Sequence, residues 1–215
     1  MRTALCYLLT SVIGIAAGVG LAAQTVRSGA LGSNIQIGPW STGLDFGTAD
    51  ASAKTRAVVA LRGLLALPAK EARYYTAATD SAGQPLDGRC RYRVAGGVLP
   101  GRWWSLTLYD REGYLVKNPA NRFSVQSSDV ARYTPGVTAD DQSERARAMR
   151  AIFAAEQRWA VAVAPAAPDA AAQASWLPTG GIERFELTLR IYLPADAGRG
   201  NPPAAMLPSI TKEGC

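Results

Sequence analysis

The chain has 215 residues, 48% hydrophobic and 19% charged, with a formal charge of +6, which suits one domain with a sizeable core plus an appendage. It contains no histidine, which removes the commonest general base, the commonest metal ligand and any Ser-His-Asp or Cys-His machinery. Three scattered cysteines cannot close a tetrahedral zinc site and no Asp-rich loop has calcium spacing, so no metal and no cofactor are expected.

Residues 4–23 carry no charge and, at about 1.5 Å per residue, would make a helix of about 30 Å, the thickness of bilayer hydrocarbon. The expectation is an uncleaved single-pass anchor. A cleaved signal peptide is the alternative, with Gly20-Leu21-Ala22 as its small-x-small site, although Arg2 is the only basic residue ahead of the apolar run. Cys6 precedes most of that run, which rules out a lipoprotein reading. Either way the rest of the chain is exported, with the expected location an inner membrane and its periplasmic side. Arg2 is the only charge in residues 1–23, so the remainder holds 22 basic and 17 acidic residues, a net +5. That excess favours anionic surroundings but is diffuse. No run of five Lys/Arg and no basic helix interleaved with aromatics occurs, so nucleic acid is not an expected partner.

Residues 24–49, rich in Gly, Ser and Thr, read as a linker to a domain over 50–215. A helix is predicted from about Asp50 to Leu67, with Ala57, Val58, Leu61, Leu64 and Leu65 on one stripe and Pro68 as its stop. The period then changes to two. Cys90, Tyr92 and Val94 alternate with Arg89, Arg91 and Arg93, as in a half-buried strand. Trp104, Leu106 and Leu108 share a face of the next strand, and Asp110 to Gly113 supply a turn into Tyr114-Leu115-Val116, which predicts a hairpin. A capping-box-like Thr138 and Asp141 open a predicted helix through about Gln157, with Met149, Ile152 and Phe153 as its apolar stripe. Trp159, Val161 and Val163 suggest a strand, closed by an Ala/Pro-rich loop through Ala174. The cleanest alternation runs from Phe185 to Leu193. Short strands separated by turn signals predict a mainly β fold: an antiparallel sandwich or jelly-roll-like domain with a few helices, behind one transmembrane helix.

Three blocks carry a family resemblance. They are Tyr74-Tyr75 with 80–88 and Tyr92; Trp103 to Val125; and Trp176-Leu177-Pro178 followed by Arg184 to Pro194. Together they resemble the domain-of-unknown-function 1214 family, over roughly residues 74–194. The resemblance implies a β-sandwich-like fold and a bacterial envelope setting. It carries no established catalytic set, so no residue role is transferred. Between the second and third blocks the family usually has a Gly-led strand, whereas residues 138–158 here read as helical.

The candidate ligand-binding cluster is Trp103, Trp104, Asp110, Asn118, Asn121, Arg122, Trp176 and Arg190. Aromatics stack on sugar rings or lipid tails, while Arg and Asn grip carboxylates and hydroxyls. The competing expectation is structural: Asn118 and Asn121 build the turn around Pro119, the arginines pair with carboxylates and the tryptophans fill the core. In a regular strand Trp103 and Trp104 face opposite ways, so both cannot line one pocket. With Cys6 in the membrane segment, the two cysteines of the exported part predict a Cys90–Cys215 disulfide that tethers the last residues to the sheet.

The expected function is a non-catalytic module at the envelope that binds a glycan, a lipid or a partner protein. The alternative is a carboxylate-dependent hydrolase or lyase acting on an envelope carbohydrate, with acids drawn from Asp80, Asp87, Asp110 and Glu112. Two acids facing each other in a concave pocket would favour the enzyme.

Overall fold

The computed structural model describes residues 2–27, 35–43, 45, 47–61, 66–130, 142–145, 147–149, 158–168, 175–195 and 206–215. Helix α1 (Arg2–Arg27) leads the chain. Its segment Cys6–Gln24 has a mean hydropathy of 1.9 and is long and apolar enough to cross a membrane, a property that signal sequences share. Leu8, Ile13 and Val19 are each more than 60% exposed, so the protein itself does not bury this surface. The Thr10 hydroxyl is satisfied within the helix by the carbonyls of Cys6 and Tyr7.

The rest is mainly β, in two sheets. The six-stranded sheet has the order β1-β2-β3-β9-β5-β6. Its members are β1 (Ile35–Ile37), β2 (Trp40–Thr42), β3 (Ala72–Ala77), β5 (Gly101–Asp110), β6 (Ser124–Gln126) and β9 (Phe185–Pro194). The four-stranded sheet, β10-β4-β7-β8, comprises β4 (Arg91–Gly96), β7 (Trp159–Ala164), β8 (Trp176–Pro178) and β10 (Ser209–Gly214). Among the described residues every pairing is antiparallel except β7 with β8. One buried cluster joins the sheets: Tyr75, Leu106, Leu187 and Leu189 from the first meet Tyr92, Val94, Val161, Val163 and Ile210 from the second. Alternation decides which residues enter that core. Leu106 lies opposite Leu189 in the β5–β9 register, and Tyr75 lies opposite Leu189 from the other side.

The predicted strands stand close to their expected places. β9 ends at Pro194, and β4 buries Cys90, Tyr92 and Val94 while Arg93 pairs with Glu213 on β10. The predicted hairpin differs in its return arm. Leu115 forms a single bridge to Tyr109, and the strand that pairs with β5 is β6, further along at 124–126. The helix expected over 50–67 is α2 (Ala53–Leu61), capped by the Ser52 hydroxyl, which accepts from the Thr55 N–H at 3.0 Å. Residues 62–65 lie outside the described residues, and 66–68 are not helical. Of the helix expected through Gln157, residues 144–145 and 147–149 are helical, while 138–141, 146 and 150–157 lie outside the described residues, as does the end of the Ala/Pro-rich loop at 169–174.

The expected linker is a correction. Within it, β1 and β2 form a hairpin on Gly38-Pro39, with Gly38 at φ 59°, and extend the six-stranded sheet. Trp40 is fully buried there, and its indole N–H donates to the Pro208 carbonyl at 2.6 Å. Composition suggested spacing, but one large aromatic commits the segment to the core.

The disulfide joins Cys90 to Cys215, closing β10 onto β4; Cys6 is free and exposed.

Candidate functional site

The eight candidate residues separate into three places. Asp110, Asn118, Asn121, Arg122 and Trp176 belong to a loop assembly. The Asp110 carboxylate accepts the N–H groups of Glu112 and Tyr114 at 3.0 and 2.8 Å, closing the turn after β5. The Asn118 amide donates to the carbonyls of Val116 and Arg122, and its oxygen accepts the Arg122 N–H at 3.1 Å. Asn121 adopts φ 50°, a left-handed conformation that Asn tolerates. Arg122 donates to the Trp176 carbonyl at 3.1 Å, and the Trp176 indole donates to the Ala164 carbonyl at 3.0 Å. These contacts tie the β5–β6 connection to β8 and β7, so this group shapes and joins loops.

Trp103 and Trp104 point to opposite faces of β5, as alternation requires. Trp103 lies on the face turned away from the core, with its ring 4.9 Å from that of Tyr192. Arg190 lies on that same outer face: Tyr192 and Arg190 are two residues apart on β9, opposite Trp103 and Ser105. Trp104 lies on the core face, with its ring 4.2 Å from that of Trp159.

Trp104 is the one candidate residue that lines a concave site. At this end of the sandwich two cavities meet, of about 290 and about 680 Å³, and both are lined by Gly97 and Arg158. The smaller has Trp104 and Trp159 in its floor, with Arg102 and Val98 also lining it. Arg102 is exposed, and Val98 is 61% exposed. The larger passes Trp40 and Gly96 to Leu207, Pro208 and Ser209 just before and at the start of β10. Indole hydrogen bonds brace the floor: Trp159 donates to the Gly97 carbonyl at 2.7 Å and Trp40 to that of Pro208. A Cβ at Gly96 would stand 3.2 Å from both the Trp159 ring and Pro208, so glycine keeps the saddle between the cavities low. Among the described residues the lining contains two arginines and no Asp or Glu. Tryptophans in the floor beside two arginines suit a ligand with an anionic group on an apolar or sugar-like body.

Sequence reasoning missed this site because its walls come from residues near 38–40, 96–104, 158–159 and 207–209, which no local spacing connects. The available signal was the Gly96-Gly97 pair ending a strand beside Trp104.

Three of the four acids considered for catalysis, Asp80, Asp87 and Asp110, do other work. Asp80 is buried and accepts the N–H groups of Ala82 and Gln84 at 2.9 and 2.8 Å. The Arg89 side chain and N–H hold the Asp87 carboxyl well below the usual carboxylate range, in a pair exposed enough to add little stability. Among the described residues no three of Cys, Asp and Glu converge as metal ligands.

Two buried tyrosines carry a pH response. Burial raises the Tyr74 phenol above its ordinary value, outweighing the lowering by the Leu67 N–H and the Arg190 charge. Burial likewise raises Tyr75, against a smaller lowering by Arg73. A raised pKa means that the folded state holds its proton more tightly. The associated stability is full below about pH 10 and is lost as pH rises through the folded values. Tyrosinate absorbance should therefore show two phenols ionising late, together with loss of near-ultraviolet dichroism. Ionisation of all tyrosines before any loss of structure would contradict this.

Residues 71–196 match the family model described as "Protein of unknown function (DUF1214)", more than half of the chain. Among curated proteins none matches the sequence. The crystal structure of the VPA0106 protein from Vibrio parahaemolyticus is similar in fold, with a TM-score of 0.53 at 22% identity. The match covers 76% of this chain and 36% of that one, so this chain spans about a third of its length.

Proposed function

The chain belongs to the DUF1214 family of proteins of unknown function, and from that premise we propose that it is a non-catalytic binding module of a bacterial envelope. Its ligand is an anionic glycan or lipid held in the cleft around Gly97 and Arg158, with a partner protein the third class such a surface would admit. The observation that carries this reading is the lining itself: a tryptophan floor, Arg102 and Arg158, and, among the described residues, no carboxylate. A hydrolase or lyase working through carboxylates needs two acids facing a substrate. Asp80, Asp87 and Asp110 are instead engaged in turns and a local ion pair, and none of the four acids lines the cleft.

The module hangs from α1, with α1 in the inner membrane and the sheets in the periplasm. The apolar length of α1 and the Cys90–Cys215 bond, which persists in oxidising compartments, support that placement.

The test is native mass spectrometry of the full-length protein extracted gently from its own membranes. A reproducible anionic lipid or glycan should accompany the wild type. Its retention should drop about tenfold or more in the Arg102→Ala/Arg158→Ala variant, since a charge-assisted hydrogen bond contributes about 1.5–3 kcal/mol. An Arg111→Ala control, exposed in the turn after β5, should leave it unchanged. Equal retention by the double variant would overturn the assignment to this cleft. Turnover of an envelope carbohydrate that depends on Asp110 would overturn the non-catalytic reading.

A further inference from the structure

The outer face of the six-stranded sheet holds a second cationic centre that takes no part in the cleft. Register places Tyr74, Arg190 and Ser105 in one row across β3, β9 and β5, and Thr76, Thr188 and Thr107 in the next. Both rows therefore share a face. Arg190 donates through Nη1 to the Thr107 hydroxyl at 3.0 Å and through Nη2 to the Tyr109 hydroxyl at 2.8 Å. Its Cζ lies 5.9 Å from the Tyr74 ring centre and 5.7 Å from that of Tyr109.

These contacts orient the guanidinium without neutralising it. Arg190 is partly buried, and it belongs to neither of the two ion pairs seen among the described residues. Two of its five N–H donors are used, both on neutral hydroxyls. Holding a positive charge away from water has a cost that tyrosine faces offset only in part. Beside it, Ser105 and Thr188 are 7% and 3% exposed and carry their hydroxyls on the same face. Hydroxyls around an oriented guanidinium that has no ion pair among the described residues match the needs of an oxyanion.

We propose that Arg190, with the hydroxyls of Ser105, Thr107, Tyr109 and Thr188, forms a receptor for a phosphate group. The position of the face supports phosphate. Val58 of α2 packs on its Tyr74–Tyr192 end, and α1, the apolar helix, approaches α2. Lipid headgroups and soluble phosphate esters are the two sources of that group. This site and the cleft stand independently, because they lie on different faces and use different arginines.

The full-length protein in maltoside micelles, titrated with glycerol 3-phosphate by calorimetry, and in nanodiscs of phosphatidylcholine with and without phosphatidylglycerol, tests this. Saturable binding of glycerol 3-phosphate marks a soluble source. A thermal shift confined to phosphatidylglycerol discs marks the headgroup. In either case Arg190→Gln should weaken the effect at least tenfold. Arg190→Lys, which keeps the charge but loses the fork, should weaken it several-fold. Tyr109→Phe keeps the ring and removes one hydroxyl that orients Arg190, so it provides a gentler variant should Arg190→Gln not fold, and it too should weaken binding. Arg111→Ala, exposed in the turn after β5, should have no effect. No response to either phosphate probe, or a response unchanged in Arg190→Lys and Tyr109→Phe, overturns the proposal.

Discussion

Replacing Cys90 and Cys215 together by serine should lower the folding stability by about 3–5 kcal/mol and the melting temperature by about 10 °C. The bond closes a loop of 125 residues, for which the chain-entropy relation predicts a loss of about 5 kcal/mol at room temperature. Local structure explains why little else would compensate. β10 buries one side chain well, Ile210, and is otherwise exposed along its length. Its ladder to β4 shifts register between Lys212 and Gly214, just before the cysteine. Without the bond the strand would fray from Cys215 back towards Ile210, whose backbone pairs with Ser81. Urea unfolding of the wild type with and without reductant should reproduce the loss; a change below 1 kcal/mol would mean that β10 holds its place unaided.

Trp40→Ala should have a comparable effect, about 3–5 kcal/mol, because a fully buried indole leaves a cavity that a β-sandwich closes poorly. The residue also links distant segments. Its N–H reaches Pro208, while its neighbour Thr42 donates to the Tyr74 carbonyl at 2.7 Å. Trp40→Phe separates the two contributions: most of the ring remains, but a buried carbonyl loses its donor, so a loss of about 1–3 kcal/mol is expected. Both values can be read from the same urea series. If Trp40→Ala were nearly silent, the β1–β2 hairpin would lie outside the cooperative unit.

Trp40 also shows where sequence reasoning reached its limit. Strands with an apolar inner face and a polar outer one were legible, because Phe185 to Leu193 and Trp103 to Tyr109 alternate cleanly. β1 and β2 are three residues each, too short for any period, and they sit among Gly and Ser that read as linker. β3 is buried on both faces, by the core and by α2, so Ala72 to Ala77 shows no alternation. β10 has one apolar anchor, and the covalent bond beside it is what the cysteine count exposed. The candidate cluster was legible as a set of capable side chains but not as a site. Alternation separated Trp103 from Trp104. The asparagines and Asp110 went to turns, where their side chains satisfy nearby backbone groups. The cleft depends on long-range closure, and Arg102 and Arg158 have no local pattern that would single them out.

The order of the six-stranded sheet also constrains how this chain acquires its shape. β3 and β5 never touch as neighbours; each is hydrogen-bonded to β9, which lies between them, yet residues 111–184 separate β5 from it in the chain. Until Phe185 to Pro194 arrive, the two earlier strands are unsatisfied edges facing a gap, and Leu106 and Tyr75 lack the leucine they share. Most of the loop-closure entropy is therefore spent before the central contacts repay it, which makes this a slow-folding topology. A chain that stays loose until its central strand is delivered is one that can be threaded through a narrow channel before it sets.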